Sequence, residues 1–196
     1  MNPLTTERLR QAMSLLSRFL DQEGAEPEHL VIIGGSALIA LELVSRATRD
    51  VDIMADVDPE KGLVDPRPMS DALQRAARKV AVELELDGKW LNTGPADQLR
   101  MGLPEGFLAR LTRREIGPRL IIYYPGRVDL IHFKLFAVVD QGPGRHRNDL
   151  QALNPSDEEL LAAARWVLTQ DAGEVFPMIV NQTLTELGVG HLTEQL

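Results

Sequence analysis

The stretch from His29 to Ala55, HLVIIGGSALIALELVSRATRDVDIMA, constrains the fold of this chain more than any other. A β-branched run at 29–33 predicts a buried strand, which Gly34-Gly35 breaks. Residues 36–45 predict a helix, with Ser36 placed to cap it. Residues 50–55 alternate acidic and apolar side chains, the period-two signature of a second strand. That period sets Asp50 and Asp52 on one face and turns Val51 and Ile53 to the buried side. Thirteen residues lie between Ser36 and Asp50. One helix fits in that gap and returns the chain to a neighbouring strand.

Each half of this pattern has an ordinary reading: a tight turn for Gly-Gly, a pair of exposed acids for Asp-x-Asp. Each also has a chemical one. A glycine pair before a helix lets backbone N–H groups approach an anion, the helix dipole favours it, and Ser36 adds a hydroxyl. Two carboxylates side by side repel, and a divalent cation such as Mg²⁺ relieves the repulsion. A nucleoside triphosphate needs both devices, because metal ions bridge its phosphate oxygens while N–H groups hold its tail. The two halves together are far more specific than either alone.

Composition narrows the rest. At 196 residues, 44% hydrophobic and 26% charged, the chain is globular, with one domain or one domain plus a small extension. The absence of cysteine excludes a disulfide scaffold, a thiolate zinc site and a cysteine nucleophile. No apolar run approaches the ~18 residues of a membrane helix. The N-terminal residues mix charges with apolar positions and hold no signal-peptide core. A cytoplasmic protein with no membrane partner is the expectation. The net charge of −8 repels nucleic acid overall. It is uneven: residues 100–150 carry nine basic and five acidic side chains, whereas residues 151–196 carry one basic and seven acidic. The basic residues of the middle are mostly arginine, which suits phosphate recognition. A solvated face is the ordinary alternative.

Along the chain, Leu9, Met13, Leu16 and Leu20 mark an amphipathic helix over 5–22, capped by Thr5 or Thr6 and ended by Gly24. Residues 56–68 predict loop and 69–86 a helix. Residues 87–105 read as irregular. Strands are expected near 107–113 and 118–124, with a turn at Gly117-Pro118. An apolar helix over 128–139 follows, then a short helix around 146–152. Ser156 to Glu159 has capping-box spacing at the start of a helix to about 169, and a last helix spans roughly 173–188. The expected class is α+β: a small mixed sheet with flanking helices and a helical C-terminal part. The expected division is a core with an N-terminal helix at 1–153 and a helical extension packed on it at 154–196.

A glycine-serine helix start followed by a strand bearing Asp-x-Asp resembles the DNA polymerase β-like nucleotidyltransferase superfamily. Within it, GGSALIALELVSRATRDVDIM is similar to the branch of AbiEii-type and MenT-type toxin nucleotidyltransferases and their uncharacterised relatives. Arg46, Thr48, Asp50, Val51 and Asp52 fill that branch's Arg-x-Thr-x-Asp-hydrophobic-Asp run in order. Two later motifs also find matches. Asp129 and Lys134 fit an aspartate followed five residues on by a lysine on a helix. Arg145, Arg147 and Asp149, in RHRNDLQAL, fit an arginine-rich stretch leading into Asp-Leu. The four motifs cover roughly residues 30–153 in family order.

The resemblance implies an NTP-dependent enzyme that moves an NMP to a hydroxyl acceptor, with RNA such as a tRNA 3′ end as acceptor. It also implies a toxin-like setting with an antitoxin protein as partner. Asp50 and Asp52 would hold a pair of Mg²⁺ ions. Asp129 would be the third carboxylate, a metal ligand or the group that deprotonates the acceptor; the alternative is an N-terminal helix charge stabilised by the dipole. Gly34, Gly35, Ser36, Arg46 and Thr48 would hold the nucleotide phosphates. Lys134, in an apolar helix, needs a partner: a triphosphate, Asp129 or Asp149. Asp149 would orient it. His132 reads as structural. Trp90, Tyr123 and Tyr124 are candidates to stack a base, though strand packing suits the tyrosines better. Arg110, Arg113, Arg114, Arg145 and Arg147 form a candidate basic path for RNA. Two rivals remain: a nucleotide- or partner-binding module without turnover, and a transferase acting on a protein or small-molecule acceptor.

Overall fold

Thr5 accepts a hydrogen bond from the Arg8 N–H, and helix α1 (Thr6–Gln22) starts there. The computed structural model that shows this describes residues 2–196. Leu9, Met13, Leu16 and Leu20 are buried along one side of α1, as their spacing requires. Gly24, at φ +61°, ends the helix. The chain packs as two compact units, one ending at Pro125 and the other Gly126–Leu196.

The first unit is built on one mixed sheet. Strand β1 (Glu28–Ile33) runs antiparallel to β2 (Val51–Asp58) and parallel to β6 (Leu120–Tyr124). Strand β3 (Gly62–Val64) extends β2 on one edge, and β5 (Thr112–Gly117) closes the other beside β6. A two-residue strand, β4 (Leu91–Asn92), runs parallel to the first residues of β2. Helix α2 (Gly34–Ala40) lies against β1 and β2, and α1 packs on β5, β6 and α3 (Asp71–Glu83). The class is α+β, as expected.

Several local expectations need correction. The helix expected at 36–45 begins at Gly34 and is over by Ala40. Glu42 takes φ +60°. Its N–H donates to the Ile39 carbonyl and the Leu43 N–H to that of Leu38, which is a Schellman ending with glutamate in the usual place of glycine. Ser36 does not cap α2; it sits in the first turn, and its hydroxyl donates to the Ile33 carbonyl at 3.2 Å. The segment 56–68, expected as loop, carries the end of β2 and its hairpin to β3. Residues 107–110 form a 3-10 turn, so the strand expected over 107–113 begins only at Thr112. Strand β5 lies on the sheet edge, where charged side chains are compatible with pairing, and Arg113, Arg114 and Glu115 are all exposed. The irregular stretch 87–105 contains β4, a 3-10 turn at Gly94–Asp97 and helix α4 (Gln98–Met101).

The second unit is helical. Helix α5 (Arg127–Gln141) packs against α6 (Gly144–Ala152), α7 (Asp157–Leu168) and α8 (Phe176–Glu186). The Arg127 guanidinium donates to the Leu153 and Asn154 carbonyls and to both Glu159 oxygens, tying the starts of α5 and α7. Ser156 and Glu159 form the capping box that their spacing predicts.

Candidate active site

The last residue of β1, Ile33, is paired with Asp52 of β2. Gly34 therefore emerges beside that carboxylate. Its φ of +74° suits glycine alone among ordinary residues, and a Cβ there would lie 2.5 Å from Asp52 Oδ2. Gly35 is held as closely on its other side. A Cβ at that position would lie 2.9 Å from Arg46 Nη2 and 3.0 Å from Thr48 Oγ1. The glycine pair is thus a close approach of backbone to three of the residues the motifs single out, Asp52, Arg46 and Thr48.

Asp52 is half-buried, and its Oδ1 accepts from Asn92 Nδ2 at 3.1 Å. The Asn92 amide is itself oriented, because its Oδ1 accepts from the Gly94 N–H at 2.8 Å. Sequence reasoning missed Asn92. Its place beside Asp52 depends on β4, a strand too short to leave a pattern. Thr48 is buried, and its Oγ1 donates to Asp50 Oδ1 at 3.4 Å. Its backbone exchanges two hydrogen bonds with Leu4, at 2.7 and 2.9 Å, so the N-terminal segment clamps the loop that leads to Asp50. Arg46 Nη1 donates to the Ala47 carbonyl at 2.9 Å. Asp50 opens on a cleft of about 550 Å³ lined by Asn2, Pro3, Arg49, Asp87 and Lys89 as well.

Two half-buried carboxylates with amide and hydroxyl neighbours are a hard-oxygen donor set. Mg²⁺ takes one or two carboxylates and completes its shell with waters and substrate phosphates, so Asp50 and Asp52 suit it. Among the described residues no three His, Cys, Asp or Glu side chains gather into a cage that would hold a metal unaided. The set suits an ion that arrives with a phosphate ligand rather than a permanent structural metal.

In the second unit, Asp129 is fully buried in the first turn of α5, and its Oδ2 accepts from the Gly126 N–H at 3.1 Å. Of the partners open to Lys134, the structure joins it to Asp149: Nζ and Oδ2 are 2.8 Å apart, with both side chains almost wholly buried. His132 Nδ1 donates to the Val128 carbonyl at 2.8 Å and its ring meets Trp166 edge-on, a structural role.

Other candidates resolve differently. Trp90 is fully buried and its Nε1 donates to the Ala77 carbonyl at 3.0 Å, so it packs the core and has no face to offer a base. Tyr124 is buried under the Arg114 guanidinium, which also donates to the Ala40 carbonyl. Burial pushes the Tyr124 hydroxyl up to about 12. Tyr123 is half-buried with its hydroxyl 3.3 Å from His29 Nδ1. Arg110 donates to the Glu105 carbonyl, Arg113 pairs with Glu115, and Arg147 donates to the Glu186 carbonyl. Arg145 is exposed.

A strand that runs directly into a helix, with the first glycine of that helix against an Asp-x-Asp carboxylate on the adjoining strand, fits a nucleotidyltransferase core. A family model described as "Nucleotidyltransferase of unknown function (DUF6036)" matches residues 7–152, and the chain belongs to that family. No curated protein matches the chain. No solved structure matches it either.

Proposed function

We propose that this protein is a Mg²⁺-dependent nucleotidyltransferase that moves an NMP from an NTP to a hydroxyl of RNA, such as a tRNA 3′ end. We assign it to the AbiEii/MenT-like toxin branch, with a cytoplasmic location and an antitoxin as protein partner. The observation that carries the reading is the contact of Gly34 with Asp52. Family membership supports the reaction class, and the motif order supports the branch. The match over 7–152 supports a catalytic core at 1–153, with 154–196 as its extension.

In this reading Gly34, Gly35, Ser36, Arg46 and Thr48 receive the nucleotide phosphates. Asp50 and Asp52 would hold Mg²⁺, which supplies charge neutralisation at the α-phosphate and the departing pyrophosphate. The acceptor oxygen attacks the α-phosphorus, a P–O bond forms, and the bond to the α–β bridging oxygen breaks. By the resemblance to the superfamily, Asp129 would take the hydroxyl proton. By the same resemblance, Asp149 would orient Lys134, whose charge would offset developing negative charge. Positioning and electrostatics do the rest.

The test is transfer of α-phosphate label from each of the four NTPs into total bacterial RNA with Mg²⁺, comparing wild type with Asp52→Asn. Label with wild type and a loss of at least ~100-fold in the variant is expected, in line with removal of one electrostatic group from an active site. Pyrophosphate release that appears only with a protein or cationic small molecule would move the acceptor. Nucleotide binding with no release under any of these conditions would make the protein a binding module.

A further inference from the structure

We infer that the cleft beside Asp50 is the docking place of a polynucleotide acceptor, whose phosphodiester groups Arg49 and Lys89 hold. This rests on the nucleotidyl-transfer reading and adds to it the side from which the acceptor arrives. The cleft is lined by three separated segments, residues 2–3, 49–50 and 87–89. The Asp52 side chain instead lies against Gly34 and Asn92, and Thr48, which sits against Gly35, joins the two places through its bond to Asp50. Asp50 faces the cleft and Asp52 faces the glycine pair, two residues apart, about 7 Å along the chain. A hydroxyl at a polynucleotide end carries its nearest phosphodiester one sugar away. If it reacts at this carboxylate pair, that phosphodiester needs cations beyond one of the two, and the cleft at Asp50 supplies them.

Most cations of this unit are already committed. Arg10 pairs with Glu42, Arg18 with Glu83, Arg67 and Arg100 with Asp65, and Arg75 and Lys79 with Glu23. Arg49 and Lys89 are exposed, and among the described residues neither forms an ion pair. Both stand on fixed backbone. Arg49 follows Thr48, which is bridged to Leu4. Lys89 precedes the buried Trp90, and its own N–H donates to Asp87 Oδ1 at 2.8 Å. Among the described residues, Asp87 is the one carboxylate of the lining besides Asp50. With Asp50 engaged by Mg²⁺ in the proposed reaction, Arg49 and Lys89 outnumber the remaining carboxylate of the lining, and the cleft favours a phosphodiester in a chain whose net charge is −8.

The test is binding of a labelled single-stranded RNA oligonucleotide across a salt series, in wild type, Arg49→Gln/Lys89→Gln and Lys61→Gln/Arg78→Gln. The last pair changes net charge equally at exposed positions outside the cleft lining. Each lost phosphate contact on a single strand lowers the slope of log K against log salt by about 0.7, so the cleft pair should lower it by about 1.4. The control pair should leave it unchanged, and NTP affinity should be unchanged in both. An equal slope in wild type and the cleft variant overturns the inference. So does an equal fall in the control pair, an absence of RNA binding by wild type, or a loss confined to NTP affinity. In the label-transfer assay the cleft variant should raise the KM for RNA about tenfold with kcat retained. Transfer by wild type with that KM unchanged in the variant refutes the docking alone. Wild type that binds RNA with the expected slope and transfers nothing refutes the reaction.

Discussion

At position 34 a single methyl group would disturb two things at once. It would penalise the φ of +74° by about 1–2 kcal/mol, and it would press on Asp52 Oδ2. Gly34→Ala should therefore fold, lose that much stability in chemical denaturation, and lose transfer far beyond it, by at least ~100-fold. The buried Lys134–Asp149 pair makes a different prediction. Asp149→Asn takes the counter-charge from a buried ammonium and should cost about 3–5 kcal/mol, whereas Lys134→Met/Asp149→Leu should recover most of that. If the pair serves only the fold, the double variant would also regain transfer; the proposed role of Lys134 requires that it does not. The glycines and the Asp-x-Asp were legible in sequence because their spacing is local. Lys134 advertised that it needed a partner, but the choice of Asp149 depends on how α5 meets α6, which no local pattern encodes.

The helices end in ways that composition does not announce. Glu42 and Glu85 take φ of 60° and 52° immediately after the caps of α2 and α3, and Asn154 takes 46° after α6. A glutamate in an apolar repeat reads as the polar face of a continuing helix, which is why the pattern predicts a helix over 36–45 where α2 has seven residues and ends at Ala40. Glu42→Gly should stabilise the protein by about 0.5–1 kcal/mol, since relief of the left-handed strain outweighs the added chain entropy and the exposed pair with Arg10 contributes little. A denaturation midpoint unchanged or lowered would contradict this. The strands misread in sequence are edge strands. β3 and β5 bury little on either face, so neither the β-branched run that marks β1 nor the alternation that marks β2 is present in them.

For the whole molecule, charge and class were readable early. The division after Pro125 falls between a strand and a helix with no linker and no shift in composition. The acidic excess has a consequence for folding. Burial, with Glu28 and Asp65 adding to it, pushes the Asp56 carboxyl up from 3.8 to about 6. The folded chain then keeps a proton between about pH 4 and 6 that the unfolded chain releases, so stability falls as pH rises through that window. That difference is worth about 3 kcal/mol in a dry site. At this partly exposed carboxyl, solvent screening leaves about 1 kcal/mol. Asp56→Asn should be more stable than wild type by about that much at pH 7 and equal to it near pH 4, as denaturation at the two pH values would show.

The contact between Gly34 and Asp52 also bears on heredity. Most mutations that silence an enzyme do so by unfolding it, and the product is degraded. A missense change at codon 34 would leave a folded, full-length protein, because its cost is small beside the ~5–15 kcal/mol that holds a domain together. Under selection against the activity, survivors that still make the protein should therefore carry lesions at codon 34 as often as at codon 52.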